Sequence, residues 1–267
     1  MWLNTETFHL LDKNKEIFYN KKILTIWKQT NYIDHKLLEK IWIEKNEYTD
    51  NIWKQRWKVD TIDSIDYSNY ELPTHIRDFN LPIEKEFYSN YDVVFDGGSS
   101  EHIFNIMQVF NNYNDILKTG WYYIGVLPMN NHVNHGFYQF SPDFFYSLFS
   151  KERGYETSCY IYDKDRYKIK DLREFKKVYH ANLNISSYPN LIYIIAKKIE
   201  EKDFSSYPQQ TVYNEHLWKT DSSNISIQQQ DKISVFKKIY RFISPERLKI
   251  KVQDYLTRRE MLEKNNN

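Results

Sequence analysis

The sequence predicts an α/β fold: a mostly parallel, seven-stranded sheet with helices on both faces, followed by a C-terminal helical extension. Two observations predict it. Short apolar runs rich in Val, Ile and aromatic residues recur along the first two hundred residues, as at 91–96 and 121–127. Segments with apolar residues at helical spacing separate them. Strands that alternate with helices must be joined by crossovers, and crossovers place the strands parallel and cover both faces of the sheet.

The elements follow in order. Residues 22–27 (KILTIW) read as the first strand, and 34–45 as a helix with Asp34 as its N-cap and Leu37, Leu38, Ile41 and Trp42 on one face. A second helix is expected over 49–57. Residues 59–67 (VDTIDSIDY) alternate apolar and polar, the pattern of a strand, and 75–79 form a short third one. The run 91–96 (YDVVFD) is a buried strand ending at Gly97 and Gly98, and a helix is expected over 99–118. Thr119 and Gly120 read as a turn. Residues 121–127 form the next strand, halted by Pro128. Ser141 and Pro142 open a helix, serine as cap and proline in the first turn, which is expected to run to Arg153 and stop at Gly154. Residues 155–163 and 191–198 are the last two strands, and the lack of a regular crossover between them favours an antiparallel pair.

This organisation gives an N-terminal segment (1–20), an α/β domain (21–200), a linker or wrap rich in Ser, Gln and Asn (201–231) and a basic helical extension (232–267). Pro245 divides the extension. Its basic residues read either as a solvated helix face or as a contact surface for a partner or an anionic surface.

Bulk composition narrows the function classes. Lys and Arg number 37 against 36 Asp and Glu, a net charge of +1. That balance argues against a protein devoted to nucleic acid. With one cysteine there is no internal disulfide framework and no cysteine-based zinc site. No apolar run is long enough to span a bilayer. The expectation is a soluble cytoplasmic protein. The 23 Tyr and 16 Phe are too many for a monomer to expose, so many must be buried or line a cleft.

In an open parallel sheet, ligands bind beyond the carboxyl ends of the strands. Four such places carry suggestive residues: 27–31 after the first strand, Asp66 at the end of the second, Asp78 and Phe79 at the end of the third, and Asp96, Gly97, Glu101 and His102 after the fourth. A carboxylate at a strand tip can accept from both hydroxyls of a ribose or from an adenine amino group. Any one of these residues taken alone is more often a turn or a cap than a ligand contact.

Two stretches, DVVFDGGSSEHIF (92–104) and LKTGWYYIGVLP (117–128), resemble the fourth- and fifth-strand motifs of class I S-adenosylmethionine-dependent methyltransferases of the small-molecule type, whose fold is Rossmann-like. NHGFYQFSP (134–142) is similar to a feature of one subgroup. The chain departs from the family after the first strand, where the usual Gly-x-Gly loop is replaced by a glycine-free segment. The resemblance implies S-adenosylmethionine as cofactor. Ile26, Trp27 and Gln29 would border its methionine portion, Asp66 its ribose, and Asp78 and Phe79 its adenine, with Asp96 and Gly97 near the transferred methyl. It also implies an acceptor that is a small metabolite or glycan precursor, modified on oxygen or nitrogen.

Histidines supply the candidate bases, because an acceptor hydroxyl or amine must lose a proton. These are His135, His132 and His102, with Glu101, Phe137 and Tyr138 as candidate acceptor-binding residues. The same histidines can equally serve only to shape the loop. His132 and His135 with Glu101 or His102 could also approach a metal, but no helix or hairpin fixes that spacing, so no metal site is expected. Two other readings stay open: a binding module that kept the fold and lost the cofactor, and an NAD-dependent enzyme, although Gly-x-Gly-x-x-Gly is absent.

Overall fold

A computed structural model describes residues 2–163, 168–172, 189–202, 204 and 206–210. Met1–Tyr213 is one compact unit. The expected basic extension and most of the expected linker lie outside the described residues.

Among the described residues the central sheet has eight strands, not seven. They are β2 (Lys22–Ile26), β4 (Thr61–Asp66), β5 (His75–Ile76), β6 (Tyr91–Asp96), β7 (Leu117–Asn130), β8 (Tyr155–Asp163), β9 (Lys168–Asp171) and β10 (Asn190–Lys198). Their order is β5-β4-β2-β6-β7-β10-β8-β9. Neighbours from β5 to β7 are parallel. β10 runs antiparallel to β8, as expected, and also to β7, beside which it is inserted, and β9 adds the eighth strand at the edge. The chain moves outward from β2 in one direction through β4 and β5, then returns to β6 on its other side. The β2–β6 boundary is therefore the topological switch point, where such sheets open a crevice at their carboxyl edge. This is the Rossmann-like arrangement with an antiparallel strand inserted beside β7.

The period of two along each strand divides the core into two layers. Leu24, Ile26 and Val94 pack with Val109, Phe110 and Tyr113 of α4 (Ile106–Ile116) and Phe145 of α5 (Pro142–Leu148). Ile23, Val93 and Phe95 face the opposite way. They pack against Phe8 and Leu11 of α1 (Thr5–Lys13) and Ile52 and Trp53 of α3 (Asp50–Gln55). Helices thus cover both faces. The N-terminal segment belongs to this core: β1 (Trp2–Asn4) pairs in parallel with β3 (Thr30–Tyr32), forming a small second sheet.

Several boundaries differ from expectation for identifiable reasons. The helix expected over 34–45 is only α2 (His35–Lys40), capped by Asp34. Residues 99–118 are not one helix. Ser99 and Ser100 bond back to Asp96, a 3-10 turn covers Ser100–His102, and Ile103 is extended before α4 begins. Thr119 and Gly120 are no turn between elements. β7 runs through them, with its register to β6 shifted between Tyr91 and Val93 and Gly120 at φ +92°. Nor does Pro128 halt β7; it lies opposite Leu191, where the β7–β10 register shifts, a position that tolerates its missing N–H. The helix from Ser141 ends at Leu148, and a 3-10 turn leads to Gly154 at φ +84°.

Candidate functional site

The carboxyl edge of the sheet carries two cavities. The smaller, about 260 Å³, sits over the ends of β2, β4, β5 and β6. Asp66 and Asp78 both line it, with Ile26, Trp27, Phe79 and His102. Five of its other wall residues, Ile65, Tyr67, Arg77, Asn80 and Ile103, were not singled out in the sequence. Each is a chain neighbour of one that was. Their signal was therefore position rather than residue type.

The two aspartates are held by local turns. Asp66 Oδ1 accepts from Ser68 N at 3.1 Å, and Asp78 Oδ1 accepts from Asn80 N at 2.9 Å. In each case one carboxylate oxygen is committed to the backbone turn, which fixes the side chain. The loop carrying Asp78 is anchored from below by Asn112 of α4. Asn112 is fully buried; its Oδ1 accepts from Ile83 N at 3.0 Å, and its Nδ2 donates to Leu81 O at 2.9 Å. Asn105 ties the same loop to the start of α4 through two bonds to Asn80. Arg77 pairs with Glu84 at 2.6 Å.

After β2 the chain turns sharply. Trp27 takes φ +60°, a left-handed conformation that glycine adopts without strain. Its N–H donates to Ile65 O at 2.8 Å, and its ring stacks on His102 with centroids 5.7 Å apart. Gln29 folds back under this turn. Its Nε2 donates to Ile26 O at 2.9 Å, while its Oε1 is buried without a hydrogen-bond partner. A Cβ at Gly97 would collide with that Oε1, so glycine is what lets Gln29 lie over the end of β6.

Asp96 ends β6 but does not line the cavity. It is wholly buried and accepts from Ser99 N, Ser100 Oγ and Tyr113 Oη. Burial pushes its carboxyl above the usual range against those bonds. Gly97 also lies outside the cavity walls, beneath Gln29.

Glu101 is equally buried, and its Oε2 has no hydrogen-bond partner. Burial, and then the charge of Asp96, push its carboxyl up to about 9. The loop after β7 reaches back to it. Phe137 N donates to Glu101 O at 2.7 Å, and Gly136 takes φ +108° with no room for a side chain: a Cβ would lie 2.8 Å from that carbonyl oxygen. This contact brings His135 beside His102, with ring centroids 5.2 Å apart. His132 follows at 5.5 Å from His135, and its Nε2 lies 3.1 Å from Asn190 O. Burial holds the His102 imidazole below its ordinary value, with His135 adding to the effect.

The larger cavity, about 480 Å³, is lined by His132, Asn190, Leu191 and Tyr193 on the sheet side and by Asn4, Glu6 and Tyr32 from the N-terminal segment. His102, His135 and His132 thus form a row from one cavity to the other. Phe137 and Tyr138 line neither. Phe137 is exposed and meets Phe104 edge-on at 5.5 Å, and Tyr138 Oη donates to Phe104 O. No described helix is long and apolar enough to cross a membrane.

No family model matches the sequence, and no curated protein matches it. Solved structures do. A putative methyltransferase from Bacillus halodurans is 13% identical over 72% of this chain and 98% of its own, at a TM-score of 0.38. An S-adenosylmethionine-dependent methyltransferase from Archaeoglobus fulgidus is 10% identical over 71% and 91%, at 0.43. For a third such structure, from Mesorhizobium loti, at 9% identity and a TM-score of 0.31, the match covers 46% of this chain and about half of the other, 53%. Similarity at this level carries no functional weight, and the fold assignment rests on the strand order itself.

Proposed function

We propose that this chain is a cytoplasmic methyltransferase. It would move a methyl group from S-adenosylmethionine to an oxygen or nitrogen of a small metabolite or glycan precursor. The observation that carries this reading is the convergence of Asp66 and Asp78 on one cavity at the switch point of a parallel sheet. The carboxylate of Asp66 would accept from ribose hydroxyls, and that of Asp78 from the adenine amino group. Ile26, Phe79 and Ile103 supply apolar wall for the base. One feature fits the methionine end: the orphaned Gln29 Oε1, an acceptor suited to an ammonium N–H, although it fills the space over Gly97 and would have to move aside. When bound, the cofactor supplies a methyl carbon already activated on a sulfonium. The chain's own task is then alignment and removal of the acceptor's proton. The acceptor atom must come within about 3–3.5 Å of that methyl carbon, so it would enter the smaller cavity itself, where His102 would take its proton, while His135 and His132 would meet the rest of the acceptor toward the larger cavity. The glycan class of acceptor rests on the sequence resemblance alone.

A second reading has its own observation. The cavity is smaller than ordinary cofactor clefts of about 300 Å³ or more, and Gln29 lies folded over Gly97. A binding module that had lost the cofactor would look like this. Thermal-shift titration with S-adenosylmethionine and S-adenosylhomocysteine separates the two. Cofactor at a hundredfold excess over its Kd stabilises the fold by about 2.7 kcal/mol. Absence of any shift at millimolar cofactor overturns the methyltransferase reading in favour of the module.

A further inference from the structure

We propose that Glu101, His102 and His135 form a binding site for one divalent transition-metal ion of the zinc class. Glu101 Oε1 lies 3.8 Å from Nε2 of each histidine, and the three ligand atoms lie within 4.8 Å of one another. At 3.8 Å the carboxylate is beyond hydrogen-bond length from either imidazole. A tetrahedral ion with bonds of about 2.0–2.1 Å holds its ligand atoms about 3.4 Å apart. On the two sides at 3.8 Å the observed triangle is therefore only slightly wider than a bound ion requires.

A second observation points to a ligand. Glu101 is 1% exposed, yet its Oε2 has no partner. A buried carboxylate short of donors is costly, and a cation held at Oε1, which faces both histidines, or shared by both oxygens would offset that cost. The backbone is built to deliver the third ligand. The Phe137 N–H bond to Glu101 O and the left-handed Gly136 seat the loop after β7 on the turn after β6. Neither loop alone contains the set, so the spacing is invisible in the sequence. Two imidazoles and one carboxylate suit zinc or iron better than magnesium or calcium, which prefer all-oxygen shells. Three protein ligands leave a fourth position open. The histidine side chains, 30% and 32% exposed, give the ion a path from solvent. With an ion bound, the Nε2 atoms of His102 and His135 would be ligands and no longer bases; the ion would instead lower the pKa of an acceptor oxygen in the open position. That last role rests on the methyl-transfer reading; metal binding does not.

The test uses the full chain, stripped with a chelator and titrated with Co²⁺ by visible absorbance and with Zn²⁺ by calorimetry. Wild type should take up one equivalent of Co²⁺ with a tetrahedral-type spectrum, displaced by Zn²⁺. Glu101→Gln and His135→Ala should each weaken uptake at least tenfold, whereas His35→Ala, on the surface, should not. Failure of wild type to bind one equivalent overturns the site, as does unchanged uptake in both variants. If Glu101→Gln does not fold, His135→Ala decides, since its side chain is one-third exposed. S-adenosylhomocysteine binding, measured in parallel, reports on the methyl-transfer reading separately: zinc uptake without it leaves the metal site standing.

Discussion

Asn112→Ala tests whether the adenine-side loop is held from beneath. The carboxamide of Asn112 is fully buried and serves the loop backbone twice, accepting from Ile83 N and donating to Leu81 O. A longer 3.4 Å contact to Phe79 O adds little. Alanine leaves the buried Ile83 N–H without a partner, costing about 1–3 kcal/mol, and the part-buried Leu81 carbonyl, which water can reach, at a smaller cost. A side-chain-sized void admits water that recovers part of this. The net loss should be about 1–3 kcal/mol, read as the change in urea midpoint at constant slope. The loop carries Asp78 and Phe79, so S-adenosylhomocysteine affinity should also fall, at temperatures where the variant is fully folded. Asn112→Asp keeps the acceptor but buries a carboxylate with one oxygen against Leu81 O, so at pH 7 it should destabilise at least as much as alanine. A loss within about 0.5 kcal/mol for Asn112→Ala, the range of an ordinary surface change, would refute the claim that this side chain anchors the loop.

Other perturbations address separate parts of the molecule. Asp66→Ala should weaken S-adenosylhomocysteine binding by about tenfold or more while leaving the melting temperature of the unliganded chain nearly unchanged; calorimetric titration with equal affinity would remove the ribose assignment. Gly136→Ala places a Cβ 2.8 Å from Glu101 O at a left-handed φ, so it should destabilise by about 1–3 kcal/mol and lower Co²⁺ uptake; an unperturbed variant would mean the two loops are not locked together. The Asp12–Arg56 pair gives a pH signature. Hydrogen bonds from Arg56 hold the Asp12 carboxyl below its ordinary value of 3.8. A depressed carboxyl contributes stability above its unfolded value, and that contribution disappears as pH falls through the folded one. Arg56→Gln should therefore cost about 1 kcal/mol at pH 7, the pair being partly exposed, and less near pH 2. Equal losses at both pH values, from denaturant midpoints, would refute an ionic origin.

The scaffold was legible in the sequence because strand patterns are local. YDVVFD at 91–96 matches β6 end to end, and Ser141 caps α5 through Phe144 N as its place before Pro142 suggests. What escaped the sequence depends on long-range register. The bulge that carries β7 through Gly120 exists only against β6, and Pro128 is tolerated only because β10 shifts register opposite it. The N-terminal 20 residues read as a bare segment because β1 needs β3, a three-residue strand too short to show alternation. Among candidate site residues, Asp66, Asp78, Phe79, Ile26, Trp27 and His102 meet in one cavity because each ends or follows a parallel strand. Asp96 obeys the same positional rule, but Ser99, Ser100 and Tyr113 claim its carboxylate and turn it inward.

The glycine-free first loop shows how one position can be exchanged for another. A parallel strand that must release its chain sharply over a crevice needs a left-handed residue, and Trp27 takes that conformation at φ +60°. The strain, about 1–2 kcal/mol, is offset by what the side chain then reaches: the indole stacks on His102 and packs against the partly apolar cavity wall. Replacing Trp27 with glycine would relieve the backbone and free the imidazole together. If the indole fixes His102 for its role between the cavities, Trp27→Gly should leave S-adenosylhomocysteine affinity equal or improved, because the crevice widens. It should, however, weaken Co²⁺ uptake, because His102 gains rotamer freedom. A variant that binds both ligands as wild type does would mean that Trp27 merely fills space, and that His102 is oriented by Glu101 and His135 alone.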